Sequence, residues 1–215
     1  MGDDGSKLLL AELLRESAES FGVRILAWVF MSNHLHLVVQ SPPPGLYAQL
    51  TSRTTDCRHT RPWKNGHLKC SVMAQFMRRL RHRMSILRQR ELGLTGRFWG
   101  SSYDSRLIQD GTSLVVRIAY DHRNPVQQGM ALRPEDYVWS SARQWVAGRT
   151  GPVSVSITEP LPFGFSAGEL REDVLKYQHR ADLDVHATKL ASLLESESCS
   201  VGAELRALLA KLELA

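Results

Sequence analysis

The sequence predicts an α+β protein, in which helices pack against a small antiparallel sheet. Two apolar, β-rich runs lie on either side of a short polar connection, the usual pattern of an antiparallel hairpin. Other segments carry apolar residues three and four positions apart, which indicates amphipathic helices. No run of about 18 apolar residues occurs, so no segment is a candidate for crossing a membrane.

The N-terminal part predicts a helix followed by the hairpin. Leucines at helical spacing place the helix at residues 6–21, and Gly22 suits its C-terminal end. The strands of the hairpin are predicted at residues 23–31 and 34–40, with Asn33 in the connection. We therefore expect the sheet to begin with this hairpin.

The central part predicts a basic helix at residues 72–92. Methionines and leucines form its apolar stripe, and six arginines occupy most of the remaining surface: Arg78, Arg79, Arg81, Arg83, Arg88 and Arg90. A strand interrupted by a Gly-Ser-Ser irregularity is expected at 98–108, and another helix at 112–123. That helix should end near Asn124, because Pro125 disfavours the α conformation in the residue before it.

The composition changes after Trp145, which gives three predicted parts. Residues 1–147 form the main domain, 148–168 are rich in Gly, Pro and Ser and read as a linker, and 169–215 predict two acidic amphipathic helices. We therefore expect a helical C-terminal appendage.

The charge is unevenly distributed along the chain. Residues 1–149 hold 21 basic and 12 acidic side chains, a net charge of +9, whereas residues 150–215 carry −4. The segment 53–97 alone carries +10. Such asymmetry indicates a polyanionic partner, and nucleic acid is the first candidate because Lys and Arg release condensed counterions from phosphates. The alternative is an arginine-rich solvated surface.

Histidines form the first candidate site. On a strand, His34 and His36 project to the same face, and two adjacent neutral imidazoles form half of a metal site. The alternative is a pair of structural histidines beside a polar groove. A second, less favoured metal site would use zinc-type ligands at spacings tighter than usual: Cys57, His59, His67 and Cys70. The other histidines, His122 among them, are expected at the surface.

Tyr120 and Asn124 form the second candidate site. They are four residues apart on a predicted helix and therefore share a face. By itself Tyr120 would be interpreted as a core tyrosine with a hydrogen-bonded hydroxyl. Beside a two-histidine site, the pair offers a nucleophile and a third, oxygen ligand.

Four motifs in this order resemble the single-tyrosine, His-hydrophobe-His transposases, especially the branch associated with repetitive extragenic palindromes. The similarity covers roughly residues 20–145. The motifs are Met31-Ser32-Asn33-His34-Leu35-His36-Leu37-Val38-Val39, Phe98-Trp99 with Tyr103-Asp104, Tyr120-Asp121-His122-Arg123-Asn124-Pro125-Val126 with Gly129, and Tyr137-Val138-Trp139-Ser140-Ser141.

The resemblance implies a fold and a chemistry. The family's fold is a ferredoxin-like antiparallel sheet with helices on one face plus a catalytic helix, and here the first strand has no counterpart before the first helix. Its chemistry implies that His34, His36 and Asn124 hold one Mg²⁺ or Mn²⁺. Tyr120 would attack a phosphodiester to give a 5′-phosphotyrosine and a free 3′-hydroxyl.

The resemblance also implies single-stranded or hairpin DNA as the substrate. The six arginines of 72–92 and a polar loop predicted at 53–70 would contact its backbone. Trp63 or Trp99 would stack on bases, with core packing the alternative for Trp99. Two other functions stay open: a module that binds hairpin DNA without cutting it, and a metal-dependent phosphodiesterase that uses water. With three scattered cysteines we expect a cytoplasmic protein, without a membrane partner and with a homodimer as one possible assembly.

Overall fold

The structure is a computed structural model that describes residues 3–43, 71–93, 95–100, 102–158 and 160–196, with only the helical backbone beyond Ala181. Its contacts divide the chain into two compact units, Met1–Leu175 and Lys176–Ala215. The elements in chain order are α1 (Asp4–Phe21), β1 (Arg24–Phe30), β2 (Leu35–Gln40), α2 (Val72–Leu92), α3 (Gly111–Gln127), α4 (Ala142–Ala147) and α5 (Ala167–Ser196), with short 3₁₀ helices at Pro134–Asp136 and Pro162–Gly164.

The sheet of the described residues is the predicted hairpin. Strands β1 and β2 pair antiparallel, with Trp28 opposite Leu37 and Phe30 opposite Leu35. β1 is buried along nearly its whole length, which explains why it reads as a continuous apolar run rather than an alternating one. Together with the helices, this hairpin confirms the α+β class.

Two buried clusters hold the first unit together. One joins α1 and α2 to the hairpin through side chains such as Leu14, Leu80 and Phe30. The other joins α3, α4 and the start of α5 to the hairpin, and Ile118 and Trp145 are fully buried in it. Helix α3 buries its apolar side in the second cluster. Polar side chains on another side of the same helix contact His36 on strand β2.

Irregular backbone covers the edge of β1 that lies away from β2. The amide N–H of Phe30 donates to the carbonyl of Trp139 at 2.8 Å, and the N–H of Ser141 donates to the carbonyl of Trp28 at 2.9 Å. Farther along, Val153 is fully buried and Nε1–H of Trp28 donates to its carbonyl at 3.0 Å. Part of the segment 148–168, expected as a linker, therefore packs on the hairpin.

The predicted strand at Phe98–Ile108 is wrong for the described residues. Residues 98–100 and 102–108 form no regular element, and Leu107 is 86% exposed. A strand needs a paired neighbour and a buried face. Among the described residues this stretch has no strand partner, and residues 102–107 are exposed.

The prediction that the third helix ends near Asn124 is also wrong, because α3 continues to Gln127. Pro125 lies in the last turn of α3, and its lack of a backbone N–H costs the helix a single hydrogen bond there. The carbonyls of Asn124 and Pro125 still accept from Gln128 and Met130, at 3.1 and 2.8 Å.

The C-terminal helices are described only in part. One helix, α5, runs from Ala167 to Ser196 where the beginning of two helices was predicted, and residues 197–215 lie outside the described residues. Residues 53–70, predicted as a loop and including Trp63 and the zinc alternative of Cys57, His59, His67 and Cys70, also lie outside them. No described helix is both long and apolar enough to cross a membrane.

Candidate active site

The turn of the hairpin places two histidines side by side. His34 directly precedes β2, its carbonyl accepts from the N–H of Met31 at 2.8 Å, and His36 lies within the strand. The two imidazoles meet edge to face, with ring centroids 4.8 Å apart. Nδ1 of His34 lies 2.6 Å from Oδ1 of Asn33. Because this carboxamide oxygen accepts only, Nδ1 carries the proton of a neutral His34 and Nε2 keeps its lone pair.

Helix α3 supplies the opposite wall of the site. Asp110 caps its N-terminus by accepting from the N–H of Ser113 at 2.7 Å. Leucine, isoleucine and alanine side chains on one side of the helix fill the second buried cluster. The polar side chains at helical spacing that face the hairpin are Arg117, Tyr120, Asp121 and Asn124.

His36 is the point at which the strand and the helix meet. The side-chain amide nitrogen of Asn124 lies 2.8 Å from its Nε2, and Nη2 of Arg117 lies 3.2 Å from its Nδ1. Oδ1 of Asp121 is 3.9 Å from the same Nδ1, and the ring of Tyr120 has its centroid 6.3 Å from the imidazole. The structure thus brings the predicted His34, His36, Tyr120 and Asn124 together, while their roles stay predictions.

The neighbours of His36 bear on its protonation and its tautomer. Burial, helped by His34 and Arg117, lowers the pKa of His36 to about 4, so the ring is neutral near pH 7. Because the guanidinium of Arg117 only donates, its contact favours a lone pair on Nδ1 and the ring proton on Nε2. With that tautomer the amide oxygen of Asn124 accepts from the Nε2–H, whereas with the other tautomer its amide nitrogen donates to Nε2.

Asp121 is the unusual member of the group. Its side chain is fully buried, and neither carboxylate oxygen has a hydrogen-bond partner among the described residues. Nε of Arg117 forms an ion pair with Oδ1 at 3.1 Å. Burial raises the pKa of Asp121 to about 7, against the lowering effect of Arg117. A buried carboxylate without hydrogen bonds is costly, which invites a functional explanation.

Tyr120 is not a core tyrosine, so that alternative is wrong. Its side chain is 43% exposed. The guanidinium carbon of Arg117 lies 5.2 Å from the centroid of its ring. A large substrate can therefore reach Tyr120 from the surface, next to a fixed positive charge.

His34, His36 and Asn124 offer two imidazoles and an amide, so a divalent cation bound here would be held without a carboxylate. Within the described ranges, no group of three or more His, Cys, Asp or Glu side chains is arranged as a metal site. Neighbouring ligands of one ion at about 2.1 Å lie about 3 Å apart, close to the separation of Asn124 and His36. Two imidazoles and an amide oxygen suit Mn²⁺ better than Mg²⁺, which prefers oxygen ligands.

The six arginines of α2 do not share one environment. Arg78 and Arg90 are exposed, and Arg79 and Arg81 are partly exposed. Arg83 forms an ion pair with Glu16. The side chain of Arg88 is 6% exposed and pairs with Asp3 at 3.1 Å and with Glu91 at 2.7 Å, so it serves the fold.

A groove of about 300 Å³ lies between α2 and the segment that follows it. Basic and aromatic side chains make up much of its lining: Ala74, Met77, Arg78, Arg81, His82, Ser85, Trp99 and Tyr103. Nε1–H of Trp99 donates to the carbonyl of Arg81 at 2.9 Å, and the guanidinium of Arg81 lies 5.3 Å from the ring centroid. Trp99 therefore both packs on the core and lines the groove.

Sequence reasoning placed His122 wrongly at the surface. Its side chain is fully buried, Nε2 lies 2.8 Å from Oγ of Ser141, and burial lowers its pKa to about 3. Oγ of Ser141 also accepts from the N–H of Trp28 at 3.0 Å, which ties α3 to the hairpin. Arg117 and Asp121 were missed too, although their four-residue spacing and their place beside Tyr120 were a signal.

No protein-family model and no curated protein matches this chain. The chain is similar to a solved structure of a REP-associated tyrosine transposase bound to a REP hairpin, with a TM-score of 0.46 and 14% sequence identity. The similarity covers 73% of this chain and 78% of that chain. The likeness is distant.

Proposed function

We propose that the protein nicks and rejoins single-stranded or hairpin DNA through a phosphotyrosine intermediate. The observation that carries this proposal is the exposed Tyr120 beside His36, with Asn124 one helical turn further along α3. A nucleophile of this kind needs access to a polymeric substrate and a cation within reach. The exposure of Tyr120 and its position beside His36 support both requirements.

In the proposed reaction, the phenolic oxygen of Tyr120 forms a bond to phosphorus while the bond from phosphorus to the 3′-oxygen breaks. The phenol loses its proton, the 3′-oxygen gains one, and the 5′-phosphate stays on the tyrosine. A bound Mn²⁺ would polarise the phosphoryl oxygen. His34, His36 and Asn124 would hold it, and Arg117 adds a positive charge beside the attacking ring. Reversal by a second 3′-hydroxyl rejoins strands without ATP.

The basic surface of α2 supports a nucleic-acid substrate. Arg78 and Arg90 project into solvent, where they can neutralise phosphates, and the groove beside Arg78 offers the Trp99 ring to an unpaired base. Stacking and backbone contacts of this type do not depend on sequence, which suits single-stranded segments next to a hairpin.

One experiment tests the proposal and separates it from its alternatives. A hairpin oligonucleotide with single-stranded flanks, labelled at either end, is incubated with the protein and Mn²⁺ and resolved on a denaturing gel. We expect a protein–DNA adduct that carries the label of the 3′ fragment and disappears in Tyr120→Phe. Tyr177→Phe is the matched control, because Tyr177 is 39% exposed and lies on α5.

Each alternative predicts a different result. Cleavage without an adduct, unchanged in Tyr120→Phe, would indicate a phosphodiesterase that activates water. Binding without cleavage would indicate a hairpin-binding module. If the variant with both His34→Ala and His36→Ala forms the adduct as fast as the wild type, the proposed cation site is wrong.

A further inference from the structure

The feature that the proposed reaction leaves unused is the buried carboxylate of Asp121. It lies on α3 between Tyr120 and Asn124, its side chain is fully buried, and its oxygens accept no hydrogen bond from the described residues. Oδ1 is 3.9 Å from Nδ1 of His36, a gap too long for a hydrogen bond and short enough for a small rotation of either side chain to close.

Two side chains contact the ring nitrogens of His36: Nη2 of Arg117 lies 3.2 Å from Nδ1, and the side-chain amide of Asn124 lies 2.8 Å from Nε2. The donor guanidinium of Arg117 favours a lone pair on Nδ1, which puts the ring proton on Nε2. A cation needs the lone pair of Nε2, so the proton must then reside on Nδ1. An N–H at Nδ1 would then face the guanidinium of Arg117, and two donors cannot form a hydrogen bond with each other. The Nδ1–H therefore needs a different partner, one that accepts.

We propose that Asp121 is that acceptor and acts as a positioning residue, which takes the Nδ1–H of His36 when Nε2 is released for a cation. Arg117, whose Nη2 lies 3.2 Å from the same Nδ1, competes with this arrangement because it can only donate. Histidine ligands commonly donate their second N–H to a carboxylate or a carbonyl, which orients the ring and strengthens its donor nitrogen. His34 already has such a partner in Asn33. The inference concerns the cation site of the proposed function and rests on it.

The test measures Mn²⁺ binding to the full chain without DNA, from the electron paramagnetic resonance signal of free Mn²⁺. Asp121→Leu removes the acceptor, and we expect the dissociation constant to rise about 10- to 100-fold. Asp121→Asn keeps an acceptor oxygen without the charge, so its dissociation constant should lie between those of the wild type and Asp121→Leu. Arg117→Gln should instead tighten binding, since Nδ1 is released from a charged donor.

Thermal unfolding of the ion-free variants separates positioning from structural support. Desolvation of the Asp121 carboxylate outweighs its ion pair with Arg117. Removing it should therefore leave the melting temperature unchanged or raise it while the affinity falls. Asp110→Ala is the matched control on the same helix: it removes an exposed capping carboxylate, so it should lower the melting temperature and leave Mn²⁺ affinity unchanged.

Nitrogen-15 spectra of His36 provide a second readout. We expect the Nε2–H tautomer in the ion-free protein and the Nδ1–H tautomer when diamagnetic Zn²⁺ is added as the probe.

Three results would overturn the inference. The first is equal Mn²⁺ affinities of the Asp121→Asn and Asp121→Leu variants, the second is an ion-free His36 protonated on Nδ1, and the third is a wild type that binds no Mn²⁺. Loss of the DNA adduct with these affinities intact would overturn only the proposed reaction.

Discussion

The side chains of Asn124 and His36 lie 2.8 Å apart, one on helix α3 and the other on strand β2. These residues are 88 positions apart in sequence, and the contact places the last turns of α3 over the hairpin. The apolar side of the helix makes this possible, because Leu114 and Ile118 anchor it in the second buried cluster. The site is thus a product of packing on the opposite side of the helix.

Removal of the Asn124 amide should weaken cation binding. Asn124→Ala deletes the oxygen that we propose as the third ligand, so the dissociation constant for Mn²⁺ should rise at least about tenfold, the lower end of the effect expected for supporting residues. Asn124→Asp keeps an oxygen donor and should bind at least as tightly as the wild type. Titration calorimetry measures both, and an unchanged constant in Asn124→Ala would exclude this residue as a ligand.

The exposed arginines of α2 should determine how DNA affinity depends on salt. Each phosphate contact with a single strand contributes about 0.7 to the slope of log K against log salt concentration, so Arg78→Ala with Arg90→Ala should lower the slope by about 1.4. Arg88→Ala is the control, because its side chain is buried and paired with Asp3 and Glu91. The Arg88→Ala variant should have a lower melting temperature and an unchanged slope. Fluorescence anisotropy of a labelled oligonucleotide at several salt concentrations measures the slope, and thermal unfolding measures the melting temperature.

Trp99 should contribute to DNA affinity through its ring. Stacking of a base on an aromatic side chain is worth about 1–3 kcal/mol, so Trp99→Ala should weaken binding of a thymidine oligonucleotide roughly 5- to 150-fold. Trp99→Phe keeps an aromatic face and should recover part of that loss. Because Trp99 also packs on the core, the melting temperatures of both variants are measured as the control for a folding defect. If Trp99→Ala folds normally and binds as the wild type does, the ring has no role in binding.

His122 should make the fold sensitive to acid. Its pKa is about 3 in the folded protein against an ordinary value of 6.5, so between these values the unfolded chain binds a proton that the folded protein does not. This contribution to the free energy of unfolding falls as pH drops below about 6.5, by up to about 1.4 kcal/mol per pH unit.

The variant His122→Gln isolates this effect. It keeps a polar partner for Ser141 without a titrating group. Between pH 7 and pH 5 its free energy of unfolding should therefore fall by about 2 kcal/mol less than that of the wild type. The difference between the two proteins matters because other groups titrate as well. Burial depresses the pKa of His36 too, whereas the raised pKa of Asp121 has the opposite sign and stabilises the folded state as pH falls. Urea unfolding at the two pH values measures the difference, and parallel losses would contradict the prediction.

Local patterns were sufficient for the elements that carry the site. The predicted boundaries of α2 agree with the structure, and the hairpin lies where its two apolar runs indicated. Gly22 ends α1 in the left-handed conformation, with φ at 61°, as a C-terminal glycine is expected to do. Tyr120 and Asn124 share a face because they are four residues apart on a helix. Each of these features depends on residues close together in sequence.

The sequence by itself therefore determined the α+β class, the hairpin, the basic helix and the candidate residues His34, His36, Tyr120 and Asn124. Only the tertiary structure decided which charges face solvent: it buries Arg88 in ion pairs, leaves Arg78 exposed, and places Asp121 and His122 in the interior. It also left 98–108 without a strand among the described residues. The physical reason is that spacing along the chain sets which face of an element a side chain occupies. Burial, tautomer and pairing depend instead on what distant segments bring against that face.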